Sequence, residues 1–326
     1  MQFITGLIDQ IRGAKLNEVG PAETLHRRLL ENVPTLREAL LSAEPRDEKI
    51  QEELETRFFY SIKLKNGIRK YTYPHRLDDL NDLVNKLLPP HSPLKVMDVA
   101  VSSGVNTLEW IDSLRGAGID CHMVAGDLNV NTFLVSLGRH LHVLVDGAGY
   151  ALQFDIFGKA IANPPGRRRL ALYFMPIFLM RMALFMRFPA MRKICLEKGD
   201  RHYVSKYGIG CRQVKLVSRK LQWATDLDVI EDDILSDACK PGYFHVLRAA
   251  NILNRKYFDD ETLVAMLMNL RARLMAQGLL IVCLTDQHGH NDATVFRLNE
   301  AGEFEVAARL GDGSDIEGLV VGLGRE

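Results

Sequence analysis

The sequence has little cysteine and no pattern to it. Cys121, Cys195, Cys211, Cys239 and Cys283 are scattered, with no CxxC pair. That speaks against a zinc site or a disulfide framework and predicts reduced thiols in the cytoplasm. Net charge is lacking too, since 41 basic residues offset 41 acidic ones. A general nucleic-acid surface is therefore not expected. No GxxxxGK[ST] occurs, which excludes a phosphate-cradling P-loop. The opening stretch, MQFITGLIDQIRGAK, is too short and too polar for a signal peptide.

What is present is enough apolar material, 47% of 326 residues, for a large core and one or two domains. Residues 1–90 read as a helical region. AETLHRRLLENVPTLREALL and DEKIQEELETRFF carry apolar residues at three- and four-residue spacings. HRLDDLNDLVNKLLPP is a third helix, stopped by Pro89 and Pro90.

From Leu94 strands alternate with helices. LKVMDVAV, DCHMVAGDLN, LDVIEDDIL, YFHVLRAANIL and GLLIVCLT read as five strands. VNTLEWIDSLRGAG and DDETLVAMLMNLRARLMAQG read as helices, and TVFRLNEAGEFEVAARLGDG as a hairpin turning near Glu300–Gly302. GLVVGL reads as one more strand. Such alternation predicts an α/β, Rossmann-like, doubly wound and mostly parallel sheet with an antiparallel C-terminal edge over residues 91–326. About a hundred residues separate strands two and three, so an inserted cap is expected at about 140–210. It contains a hairpin, LHVLVDGAGYALQFDIFG, and an apolar stretch.

The first strand ends in the turn D-x-A-x-S-x-G: Asp98, Ala100, Ser102, Gly104. Only one of these is glycine, so close approach of a pyrophosphate is poorly served. Asp127 ends strand two, 23 residues after Gly104, placed to accept hydrogen bonds from both ribose hydroxyls of an adenosine. EDDIL follows strand three with Asp232, Asp233 and Ile234. Acids at three successive strand ends suggest one site. The plainer reading makes each a loop acid or a helix cap.

The turn resembles motif I of the class I S-adenosylmethionine-dependent methyltransferases, D/E-x-G-x-G-x-G, with Ala100 and Ser102 replacing two glycines. The resemblance implies S-adenosyl-L-methionine as cofactor. It implies binding by Asp98, Ala100, Ser102, Gly104, Asp127 and Leu128, an adenine-amino contact by Asp232 or Asp233, and Ile234 flanking the ring. HVLRAANILNRKYFDDETL is similar to the strand-four region of chemotaxis-receptor methyltransferases. Asn251 falls on that family's asparagine and Tyr257-Phe258-Asp259 on its Y-F-D. Ala250 stands where an arginine would be, and two residues are inserted. The likeness covers about residues 94–139 and 218–323.

A sulfonium is its own leaving group, so alignment is the main task and no triad is needed. The catalytic candidates are Arg248, Asn251 and His288. His288 lies in TDQHGHND, a loop whose acid and two histidines read as ordinary polar residues before they read as a metal site. RKYTYPHR, Arg69 to Arg76, could form a lid with Tyr71, Tyr73 or His75, although aromatic packing is the simpler reading.

Leu170–Phe188 approaches the length of a membrane span, but Arg181 sits in its middle, Arg187 near its end, and Pro176 interrupts it. A central arginine costs about 2.5–3.5 kcal/mol, so spanning is not expected. The open readings are a lid, a homodimer interface, and a membrane-surface contact through residues 167–193, with Arg167, Arg168, Arg169, Arg192 and Lys193 facing anionic lipid. The expected function is methyl transfer to a small, apolar acceptor. The alternatives are an NAD-dependent oxidoreductase and a non-catalytic interaction or peripheral membrane protein on the same fold.

Overall fold

The computed structural model describes residues 32–44, 46–65, 67–70, 72–89, 93–163, 171–198, 204–206, 208–236 and 240–323. Tyr71, Arg167, Arg168, Arg169, Cys239 and residues 22–31 of the first expected helix lie outside them. In chain order the elements begin with a π-helical turn (Arg37–Leu41), α1 (Glu48–Ser61), α2 (Asp78–Asn85), β1 (Leu94–Val99), α3 (Val105–Gly116) and β2 (Cys121–Asp127). Then come β3 (Asn131–Leu137), β4 (Leu141–Val145), β5 (Ala151–Ile156), β6 (Lys159–Ala162), α4 (Phe174–Lys198), β7 (Val204–Lys206) and β8 (Ile209–Lys215). The chain ends with α5 (Arg219–Trp223), β9 (Leu227–Glu231), β10 (Phe244–Ala250), α6 (Asp260–Arg273), β11 (Leu274–Thr285), β12 (Asn291–Leu298), β13 (Phe304–Leu310) and α7 (Glu317–Gly322).

Two compact units form. One comprises Tyr73–Leu128 and Lys220–Glu326, the other Met1–Thr72 and Asn129–Arg219. These bounds differ from the expected ones. The first ninety residues divide after Thr72, and the insertion opens at Asn129 rather than near 140.

The first unit holds a seven-stranded sheet in the order β13-β12-β11-β10-β1-β2-β9. β9, β2, β1, β10 and β11 run parallel, and β12 and β13 close the edge as antiparallel neighbours. This is the expected Rossmann-like, doubly wound sheet. Side-chain alternation along a strand assigns its two faces. Met97 and Val99 of β1 join Leu247 and Ala249 of β10 in the core beneath Leu263, Met266 and Leu270 of α6. Asp98 and Arg248 point to the other face, toward α2 and α3. GLVVGL, expected as a strand, is α7, whose Val320 joins the α6 core. The helix expected to reach Gly278 stops at Arg273, where β11 begins.

The second unit is built on a six-stranded antiparallel sheet, order β6-β5-β4-β3-β8-β7, of which the sequence showed only the β4–β5 hairpin. Phe133, Val135, Val143 and Phe154 face α4, while Leu134, Leu144, Leu152 and Val214 face the π-helical turn and α1. Pro176 does not interrupt α4. It lies in the first turn, where no amide is required. Pro189 is the proline inside the helix.

Candidate functional site

The carboxyl ends of the parallel strands converge where strand order reverses, between β1 and β10, the usual ligand crevice of this architecture. The turn after β1 occupies this point. Ala100 has φ +55°, Ser102 φ +59° and Gly104 φ +82°. All three alternate positions are left-handed, a conformation that glycine adopts freely and that strains other residues. The two replaced glycines have therefore kept the glycine backbone. Val101 N–H donates to Gly126 O (3.1 Å) and Gly104 N–H to Val101 O (2.9 Å), which tightens the turn. A Cβ on Gly104 would collide with Leu221, so this glycine serves close packing of the chain on itself. Ser103 is buried, and its Oγ has no hydrogen-bond partner among the described residues.

Asp98 and Arg248, two of the predicted site residues, satisfy each other. Arg248 Nε donates to Asp98 Oδ1 (3.0 Å) and Nη2 to Oδ2 (2.6 Å). Thr107 Oγ1 donates to Oδ2 as well (2.7 Å). Of the other Arg248 donors, Nη1 reaches Asn81 Oδ1 (3.0 Å) and Nη2 the Asn106 carbonyl (3.1 Å), and the guanidinium lies 4.1 Å from the Trp110 ring. Arg248 is 1% exposed and Asp98 3%. A bidentate pair supported by further hydrogen bonds is the form in which buried charges are tolerated. In this geometry both residues tie the turn, α2 and α3 to the sheet, and Arg248 is a positioning residue.

Asp127, at the end of β2, is brought to the turn. Its Oδ2 accepts from Ser102 N–H (2.9 Å). Leu128 beside it is half exposed. Asp232 is placed differently. It folds across Gly126 toward Met97, on the α6 face, and Arg273 Nη1 donates to its Oδ2 (2.7 Å). Ile234 is buried in the α6 core rather than presented to a ligand. Asp233 is exposed and caps its own loop by accepting from Leu235 N–H (2.9 Å).

At the end of β10, Asn251 is left-handed (φ +62°). Its amide is committed on both sides: Nδ2 donates to Thr285 Oγ1 (3.0 Å) and Oδ1 accepts from Thr285 N–H (2.7 Å). Asn291 continues this network to Asp79. In the following loop Asp286 Oδ1 accepts from His288 N–H (2.7 Å) and His290 N–H (2.8 Å). His288 is exposed, and its Nε2 shares a hydrogen bond with Gln287. Of the expected lid, Tyr73 and His75 are fixed to the start of α3. Asn106 Nδ2 donates to the Tyr73 carbonyl (3.0 Å), and Glu109 Oε1 accepts from His75 N–H (2.8 Å). Burial raises the Glu109 pKa above the ordinary carboxylate value, against the lowering effect of Asn106 and His75.

Sequence reasoning missed Asn81, Thr107, Trp110, Arg273 and Thr285. Thr107 and Trp110 carried a faint signal, since the two lie three residues apart on one face of the helix that follows the turn. Nothing in the local sequence marks the others.

No protein-family model matches the chain, and no curated protein matches it. Solved structures do. A protein from Pyrococcus horikoshii OT3 is 13% identical over 75% of this chain and 78% of its own, with a TM-score of 0.31. An S-adenosylmethionine-dependent methyltransferase from Mesorhizobium loti is 9% identical over 63% and 52%, with a TM-score of 0.29. The [4+2]-cyclase SpnF is 12% identical over 64% and 44%, with a TM-score of 0.29. The match thus spans about half the length of the last two. Superposition at this level carries no functional argument. The strand order, the antiparallel edge and the left-handed turn give the first unit the Rossmann-like fold that the motif I resemblance implied.

Proposed function

We propose that the protein is an S-adenosylmethionine-dependent methyltransferase acting on a small, apolar acceptor. The observation that supports this best is the backbone of the turn. Left-handed alanine and serine each store on the order of 1–3 kcal/mol, and such strain persists where the surroundings impose it, typically at ligand sites. The residues present fit the cofactor. The turn offers nothing larger than serine at positions 100, 102 and 103, and the buried Ser103 Oγ is left to find a partner. Asp127 stands beside the turn as the ribose acceptor.

When bound, S-adenosylmethionine supplies a methyl group activated by its sulfonium. The protein's own part is orientation and exclusion of water. Asp98 and Arg248 fix the turn from beneath, and Asn251 fixes the end of β11 through Thr285. His288 is the candidate to take a proton from an acceptor that must lose one. Arg248, spent on Asp98, grips no anion.

Photo-crosslinking of methyl-labelled S-adenosylmethionine to the full chain tests the reading. Label on peptides within residues 94–128, displaced by S-adenosylhomocysteine and not by NAD, is the expected result. Labelling that NAD displaces, or that falls only elsewhere, contradicts it.

A further inference from the structure

α4 is apolar on two faces, and among the described residues one of them is packed and the other exposed. Ile177, Met180, Leu184, Phe188, Met191 and Cys195 pack on the six-stranded sheet. The opposite side presents Met175, Phe178, Leu179, Met182, Phe185 and Met186, between 40% and 84% exposed. An apolar ridge of this kind, contiguous along a helix, marks an interaction surface. By length and composition Phe174–Glu197 is apolar enough to cross a membrane, and 33% of its 18-residue apolar stretch is buried. Its inner face is held by the sheet, however, which leaves the outer face alone for lipid.

The charge around the ridge is of one sign. No acid occurs from Ala171 to Leu196, whereas Arg181, Arg187, Arg192 and Lys193 do. At about 100° per residue, Arg181 and Arg192 fall on one flank of the buried stripe and Arg187 on the other. The Arg181 guanidinium turns back to 5.9 Å from the Phe154 ring and hydrogen-bonds Asn163, and that of Arg192 lies 6.0 Å from the Phe133 ring. Both cations therefore stand lower than the apolar crest, at the depth where headgroups meet a helix lying in the membrane plane. A second copy of the chain suits this face poorly, because a two-fold contact would set basic flank against basic flank, and the helix's one acid, Glu197, lies at its C-terminal end beyond the apolar ridge.

We infer that α4 docks on an anionic lipid bilayer, inserting Phe178, Met182 and Phe185 while the four cations meet lipid phosphates. This inference is independent of the methyltransferase reading.

The test is sedimentation of the full chain with vesicles of phosphatidylcholine alone or mixed with phosphatidylglycerol. The chain is expected to pellet with the mixed vesicles, and about tenfold less with the neutral ones. Most of the difference should vanish in about 1 M salt, where the Debye length is about 3 Å. Met182→Glu/Phe185→Glu alters only exposed positions. It is expected to keep the parent circular dichroism and lose at least about tenfold in vesicle binding, as burial of two large apolar side chains implies. Arg192→Gln/Lys193→Gln should weaken binding to the anionic vesicles alone. A parent that stays in the supernatant with both vesicles overturns the inference. So does a folded Met182→Glu/Phe185→Glu chain that binds as the parent does. So does a lipid-free dimer that the same variant dissociates.

Discussion

Arg248 and Asp98, 150 residues apart, form a bidentate ion pair across adjacent strands, with contacts of 3.0 and 2.6 Å. Their Cα atoms are register partners in the β1–β10 ladder. Removing one member of such a pair leaves a buried charge without its counter-charge, at a cost of about 3–5 kcal/mol. Arg248→Met and Asp98→Asn should each lower the unfolding free energy, measured by urea denaturation, by that much, and the double variant by clearly less than their sum. Additive losses would show that the two do not act as a pair.

Ala100 is predicted to tolerate glycine better than an ordinary position does. A typical alanine-to-glycine change costs about 0.5–1 kcal/mol. Here relief of the left-handed strain, about 1–2 kcal/mol, offsets that cost. Ala100→Gly should therefore be neutral or stabilising in urea unfolding. Gly104→Ala should destabilise, because it adds both strain and a collision with Leu221. A clear loss at Ala100→Gly would contradict the conformation of the turn.

Much of this arrangement was legible in the sequence. Acidic strand ends, glycine-like spacing and helical periodicity located β1, β2, β9, β10, β11 and the β12–β13 hairpin. The six-stranded sheet was not legible, because strands such as Asn131–Leu137 are buried on both faces and lose the two-residue alternation. α7 was misread because its valines favour strands, a weak preference that burial against α6 overrides. The partners of Asp98 and Asp232 were invisible because Arg248 and Arg273 are set by tertiary register rather than by nearby sequence. For the same reason Asp232 and Ile234 stood with the expected ligand contacts, although they face α6.

Glu109 carries a pH signature. Burial raises its folded pKa above the ordinary value of 4.5, so the folded state holds the proton more tightly than the unfolded one. The stability this contributes is full below pH 4.5 and is lost as pH rises through the folded value. Glu109→Gln should then be at least as stable as the parent at neutral pH, with the advantage shrinking as pH falls toward the unfolded value. Urea midpoints across that range check it. A variant less stable at neutral pH than in acid, relative to the parent, would reverse the sign.

The central claim is that Asp127 and the left-handed turn hold an adenosyl cofactor. Calorimetric titration of S-adenosylhomocysteine into the parent and into Asp127→Asn tests it most directly, because asparagine keeps an acceptor for Ser102 N–H while removing the carboxylate. The predicted result is one site in the parent, no heat with NAD, and binding weakened by about tenfold or more in the variant, as loss of a charged hydrogen bond implies. A folded parent, free of retained cofactor, that binds no S-adenosylhomocysteine would contradict the account, as would equal affinity in Asp127→Asn.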